Sequence, residues 1–265
     1  MIFESAIELS YYWLPLIGFI IGLLSTMVGG NGAFFFPPIL ILFFGIPPRI
    51  AIATSLAAVI PIGLVGSLVH LRKKNINLPV GALFGSAGLI GAITGAWLSN
   101  RLEVSTLINT FGIYLIALSL LTFYNPNGRI NKGISPPKAF TDFKKQQMWL
   151  MVSLGAVAGL AAGLFGTSGT APVLAGLLLL QLPISLIIGT SVMIVFINAL
   201  AGFGGHLLLG EIDTQLIFLL GSGAAVGAFL GPFLLPHMRP EKNEGRIRFV
   251  FALFLFIFGS FLIIL

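Results

Sequence analysis

The chain has no cysteine and little charge, and each shortage removes a class of function. Without cysteine among 265 residues, there can be no disulfide, no thiolate metal site and no Cys-based relay of sulfur compounds. Charged residues make up 8% of the chain and hydrophobic ones 57%, where soluble domains carry roughly 25% charge. With a mean hydropathy of +1.06, bilayer rather than water is the solvent to assume, and no stretch is long enough to form a separate soluble core. The first residues include Glu4 and Glu8 but no Lys or Arg. They lack the positive n-region of a cleaved secretory signal, so the first helix is expected to stay in the mature protein. The pI of about 9.9 does not point to nucleic acid. The basic residues are sparse and sit between apolar helices, where they act as topology signals.

Apolar runs read against their breakers give helical segments near 13–28, 33–45, 50–70, 79–99, 104–123, 148–165, 170–181, 185–208, 214–236 and 246–264. The segments 33–45 and 170–181 are too short to cross a hydrocarbon core of about 30 Å at about 1.5 Å per residue. Each follows a glycine-rich break. Alternating crossings place Arg72, Lys73, Lys74, Arg129, Lys132, Lys138, Lys144, Lys145, Arg239, Lys242, Arg246 and Arg248 on one side. Only Arg49 and Arg101 fall on the other, with Glu4, Glu8, Glu103, Glu211 and Asp213. Because Lys and Arg are retained in the cytoplasm, both termini are expected outside it.

The two halves of the chain match each other. Gly18, Gly22, Gly29 and Gly32 align with Gly155, Gly159, Gly166 and Gly169; after a one-residue gap, Pro47 meets Pro183, Thr54-Ser55 meets Thr190-Ser191, and His70 meets His206. The register continues from Gly85-Ser86 on Gly221-Ser222 to Leu98 on Leu234, about 80 residues per half. With five segments each, the halves must enter the membrane from opposite sides, and the basic Arg72-Lys73-Lys74 loop has the acidic turn 210–213 as its counterpart. The expected fold is an all-α integral membrane protein built as an inverted-topology repeat of two five-segment halves, each with a broken or re-entrant short helix. Residues 1–124 form the first repeat, 125–147 a cytoplasmic linker and 148–265 the second repeat.

The breaks read Gly29-Gly30-Asn31-Gly32 and Gly166-Thr167-Ser168-Gly169. A helix that starts inside the protein offers unsatisfied N–H donors and about half a positive charge, which together attract anions. Glycine lets the backbone approach a ligand closely, while Asn31, Thr167 and Ser168 add side-chain donors. Thr54-Ser55 and Thr190-Ser191 lie early in the following helices and are expected to complete two halves of one small polar cavity, with Asn198 contributing from deeper in its helix. Most of the 33 glycines serve close packing, and Ser and Thr commonly bond back to their own helix. The paired breaks are different, because a helix interrupted at membrane depth is tolerated only where it is buried or lines a cavity.

No Asp, Glu, Lys or Arg falls clearly within a span. His70 and His206 are the paired titratable groups, and their places at helix ends suggest interfacial solvation rather than a proton relay. His237 lies in a basic loop. Arg49 reads as a solvated helix start, with recruitment of anions as the alternative. No Ser-His-Asp set, His-rich metal motif or carboxylate pair occurs at membrane depth, so neither catalysis nor a metal or cofactor is expected.

The duplicated breaks, the proline that follows each (Pro37 and Pro172), the Thr-Ser pairs and the overall length resemble the TauE/SafE family of sulfite and organosulfonate exporters, also called TSUP. The resemblance runs from roughly residue 14 to 264. It implies a secondary transporter of sulfite, organosulfonates or related sulfur or carboxylate anions in a bacterial inner membrane. The residues themselves favour a carrier of a small anion surrounded by lipid, ahead of a passive anion channel, a scaffold or a membrane enzyme. Proton coupling and homo-oligomer formation stay open as alternatives.

Overall fold

The computed structural model describes residues 2–3, 9–28, 34–124, 143–167, 169–234 and 244–264. The α-helices are α1 (Leu14–Val28), α2 (Phe36–Phe44), α3 (Pro48–Arg72), α4 (Leu78–Arg101), α5 (Val104–Tyr124), α6 (Lys145–Phe165), α7 (Thr170–Leu179), α8 (Ile184–Leu209), α9 (Thr214–Leu234) and α10 (Glu244–Ile264). A 3-10 turn, Leu9–Trp13, leads into α1, and the strands β1 (Ile2–Phe3) and β2 (Ile212–Asp213) pair in parallel. Among the described residues, α3, α4, α5, α6, α8 and α9 are long and apolar enough to span a bilayer. Tyr11–Thr26, Thr170–Leu179 and Phe249–Ile264 are shorter apolar helical stretches.

Local chemistry explains the boundaries. Pro48 opens α3, while Pro37 and Pro79 lie in the first turns of α2 and α4, where a missing N–H costs no helix bond. Asn77 Oδ1 accepts from the Val80 amide at 3.2 Å. Asp213 Oδ1 accepts from the amides of Gln215 and Leu216 at 2.9 and 3.1 Å. These N-caps start α4 and α9, counterparts in the repeat alignment. α6 begins at Lys145 rather than 148, because the Lys144 amide donates to Gln147 Oε1 at 3.0 Å and draws the helix back toward the linker. Linker residues 125–142, including Arg129, Lys132 and Lys138, lie outside the described residues, as do Arg239, Lys242 and His237.

The helices pack in registered pairs. α1 and α9 run in the same direction, with Pro15 against Gly223, Phe19 against Gly227 and Thr26 against Gly231. α4 and α6 do likewise, with Phe84 against Gly155, Gly88 against Gly159 and Ala92 against Gly163. The first helix of each half therefore lies on the fourth helix of the other. α3 and α8 are antiparallel, with Leu56 against Gly202, Gly63 against Phe196 and Gly66 against Val192. α5 and α10 are antiparallel too: Gly112 meets Gly259, and Ser119 Oγ donates to the Ala252 carbonyl at 2.7 Å. α8 parallels α4, with Gly81 against Met193 and Ala96 against Gly205. α9 turns back from α8, so it opposes α4, and α1 and α6, which lie along these two, oppose each other.

The backbones come this close because the contact positions are glycines. At Gly159 an added Cβ would collide with the Gly88 carbonyl, and small residues at such crossings give membrane helices the dispersion contact that replaces hydrophobic driving force. Phe34, Phe36, Phe84, Leu14 and Met151 fill the interior. Ile90, Ile113, Phe218 and Val226 are exposed and suit contact with lipid tails.

Candidate functional site

Two left-handed glycines build the second break. Gly166 (φ 69°) ends α6, and Gly169 (φ 61°) precedes α7 with no side chain capping the new helix. A side-chain-bearing residue is strained in this region, so the chain reverses at these two glycines. The reversal is deep. The carbonyl of Ala158, well back along α6, occupies the place a Cβ on Gly169 would take.

Asn198 sits in the same layer. Its Oδ1 lies against Gly88, whose backbone meets Gly159, the residue after Ala158. Asn198 is fully buried, and neither its amide oxygen nor its nitrogen has a hydrogen-bond partner. Each unpaired buried polar group costs about 1–3 kcal/mol, and a membrane interior offers no water as a substitute. The end of α6 is set from α8, where His206 Nε2–H donates to the Gly163 carbonyl at 2.8 Å and Nδ1 faces Asn100 Nδ2 at 3.4 Å. His206 is 1% exposed. The expectation of interfacial solvation therefore does not hold for it, because α4 and α6 converge on the end of α8 and close over the ring. His70 is part-buried, with its Nδ1 unpartnered.

The Thr-Ser pairs are buried but do not share one level. The antiparallel register places Ser55 level with the α8 residues just beyond Gly202, and Ser191 level with the α3 residues just beyond Gly66. That separates the pairs by about 18 Å at about 1.5 Å per residue. The first pair instead accompanies the second break, since Gly166 rests on the backbone of Ile52. Ser55 Oγ bonds back to the Ala51 carbonyl at 2.6 Å, while Thr54 Oγ1 is buried and unpartnered. In the second pair, Thr190 Oγ1 accepts from the Asn77 amide at 2.9 Å and ties α8 to the start of α4, while Ser191 Oγ is unpartnered. Thr167 Oγ1 donates to the Ala161 carbonyl at 3.3 Å. Arg49 is half-buried, and its guanidinium donates to the Leu102 carbonyl at 2.9 Å. Gly29, Gly30, Asn31, Gly32 and Ser168 lie outside the described residues.

Sequence reasoning missed several buried polar groups, among them Ser99, which is fully buried in α4 with an unpartnered hydroxyl. Ser25 is fully buried in α1 with an unpartnered hydroxyl, and Tyr114 in α5 has a buried, unpartnered Oη. The signal for Tyr114 was a phenol in the middle of a spanning helix, since tyrosines at membrane depth need a partner for the hydroxyl.

A glycine-broken helix pair around buried, unpartnered polar groups suits small-molecule passage, and comparison with known proteins agrees. The model of the family described as Sulfite exporter TauE/SafE matches residues 14–262. The chain belongs to this family. Its relatives include proteins named as probable membrane transporter proteins. YunE of Bacillus subtilis (strain 168) is 26% identical over 263 residues, covering 92% of this chain and 96% of the relative. YdhB of the same organism is 28% identical over 220 residues, covering 82% and 86%. MJ0441 of Methanocaldococcus jannaschii is 26% identical over 200 residues, covering 73% and 71%. No solved structure matches. The TauE/SafE family and these relatives are membrane transporters rather than enzymes, and the apolar helices make this member a multi-pass membrane protein.

Proposed function

We propose that this TauE/SafE member is a secondary transporter moving a small anion, sulfite or an organosulfonate or related sulfur oxyanion, across the bacterial inner membrane by alternating access. The observation that carries the reading is the start of α7 at Gly169 in the same layer as the unpartnered Asn198 amide. Together they offer backbone N–H groups, a helix dipole and an amide donor in a place that excludes water.

The 1–124 and 148–265 halves, joined by the 125–147 linker, act as inverted repeats in this proposal. The opposed directions of α3 and α8 and of α5 and α10 support it. The anion rests between the breaks Gly29–Gly32 and Gly166–Gly169, with Thr54 and Ser191 lining the two approaches, and rocking of one half on the other exposes it to each side in turn. Both termini lie outside the cytoplasm, and a proton, where one is coupled, travels on the substrate.

The test is saturable flux into proteoliposomes, with sulfite, sulfate, thiosulfate, sulfoacetate and acetate each presented with and without a pH gradient. Saturation by one sulfur oxyanion and trans-stimulation by the same species are expected. Flux that neither saturates nor responds to internal anion would make the protein a channel, and flux of acetate alone would remove the sulfur assignment.

A further inference from the structure

Among the Lys and Arg side chains described, Arg49 alone is not exposed. Arg72, Lys73, Lys74, Lys144 and Lys145 all face outward, and Arg101 is exposed over the Trp97 ring at 4.3 Å. Arg49 stands half-buried in the first turn of α3, and its Nη2 donates to the carbonyl of Leu102, the residue that closes α4. That bond uses one of the five N–H donors of a guanidinium. The Nε–H is buried and has no acceptor. The acids at this end of the molecule do not supply one: Glu103 and Glu211 are exposed, and Asp213 Oδ1 accepts from the amides of Gln215 and Leu216. A guanidinium held partly out of water with donors unspent is a ready site for an oxyanion, whose oxygens match its planar fork.

The helix registers place this cation one turn beyond the end of α6. Gly166 rests on the backbone of Ile52, which lies one turn further into α3 than Arg49. On α4, Ala96 lies against Gly163, so Ser99, one turn on, comes level with Gly166, and Leu102 comes level with the guanidinium it binds. Ser99 is fully buried and its hydroxyl has no partner. Two residues past Ile52, Thr54 Oγ1 is buried and unpartnered as well. Deeper still is the unpartnered Asn198 amide, whose neighbour Gly88 lies about 16 Å below Ser99 at about 1.5 Å per residue of α4. Unpartnered hydroxyls also occur elsewhere, at Ser25, Ser67 and Ser191. What sets this series apart is the half-buried cation at its head.

We propose that Arg49 is an entry site for the transported anion: its guanidinium takes a small oxyanion from water and passes it by way of Ser99 and Thr54 to the layer of Asn198. The Leu102 carbonyl fixes the guanidinium in advance, so little side-chain freedom is lost when the anion arrives. The groups below it are neutral. An ion bound by a charge at the mouth and by dipoles further in is attracted without being trapped, as passage requires. The ligand class is an oxyanion with at least two acceptor oxygens, as in sulfite or a sulfonate head group. This inference rests on the transport reading above.

The variant Arg49→Gln removes the charge and the fork but keeps an N–H donor. Sulfite is the probe, with concentration-dependent uptake measured in proteoliposomes at low and high salt, and thermal stability measured in detergent. The expected result is a KM for sulfite raised about tenfold or more, the order that a hydrogen bond to a charged group contributes, with little change in the maximal rate. The wild-type KM should also rise with salt as the charge is screened, and the Arg49→Gln KM should not. A residue that only closes α4 would move the melting temperature and leave KM and its salt dependence as in wild type; that result overturns the proposal and leaves the transport reading standing. Should Arg49→Gln yield no folded protein, Ser99→Ala decides, because it removes a hydroxyl that has no partner. A raised KM at an unchanged melting temperature supports the entry site, and an unchanged KM overturns it. Wild-type protein that takes up none of the screened anions would sink the transport reading, and this inference with it.

Discussion

His206 Nε2 lies 2.8 Å from the Gly163 carbonyl oxygen, so a residue near the end of α8 sets where α6 stops. The last carbonyls of any helix have no partner within it. Here one of them is satisfied by a buried imidazole, three residues before the left-handed Gly166. His206→Phe keeps the ring and removes both nitrogens. It should destabilise the protein by about 1–3 kcal/mol, the cost of an orphaned buried acceptor, seen as a lower melting temperature in detergent. An unchanged melting temperature would mean the contact holds nothing in place.

Gly159 and Gly88 bring α6 and α4 into backbone contact. Gly159→Val should force the helices apart and abolish folded protein, since neither backbone can yield, with losses of roughly 3 kcal/mol or more expected from overpacking. Gly221, with open space where a Cβ would stand, is the control: Gly221→Ala should leave yield and monodispersity in size-exclusion chromatography unchanged.

Asn198→Leu tests the unpaired amide. Replacing a buried group that has no partner by an apolar side chain of similar volume should be neutral or stabilising by about 1–3 kcal/mol. Sulfite flux in proteoliposomes should be lost if the amide holds the substrate. Retained flux together with raised stability would leave Asn198 as a packing residue.

Thr190→Val removes the acceptor for the Asn77 amide and should lower stability by about 1 kcal/mol without altering substrate preference. Its neighbour Ser191, with no partner, should behave in the opposite way when changed to Ala, with stability held and uptake impaired. Melting curves paired with uptake measurements separate the two.

The cysteine-free chain makes sidedness directly measurable. Single cysteines at Glu103 and Glu211 should react with a membrane-impermeant maleimide in intact cells, and one at Lys73 only after permeabilisation. Labelling of Lys73→Cys alone in intact cells would invert the orientation.

The membrane class, the ten helices of the described residues and the second break were legible in the sequence because each depends on a one-dimensional signal. Apolar length is set by the thickness of the bilayer. Breaks are marked by glycine, whose conformational freedom local neighbours cannot supply. Repetition shows at a fixed offset, such as Asn77 and Asp213 each capping the fourth helix of its half. The sequence could not assign partners among its many buried hydroxyls. Thr54 and Ser55 are adjacent in the chain and both buried, yet Ser55 is spent on its own helix while Thr54 is left free. Only the antiparallel register of α3 on α8 decided that the two Thr-Ser pairs stand at different depths. His206 became an interior anchor through the convergence of α4, α6 and α8, and Tyr114 reached the second break because α5 stacks against the end of α6. Such contacts join residues far apart in the chain, and their partners exist only once the helices have packed.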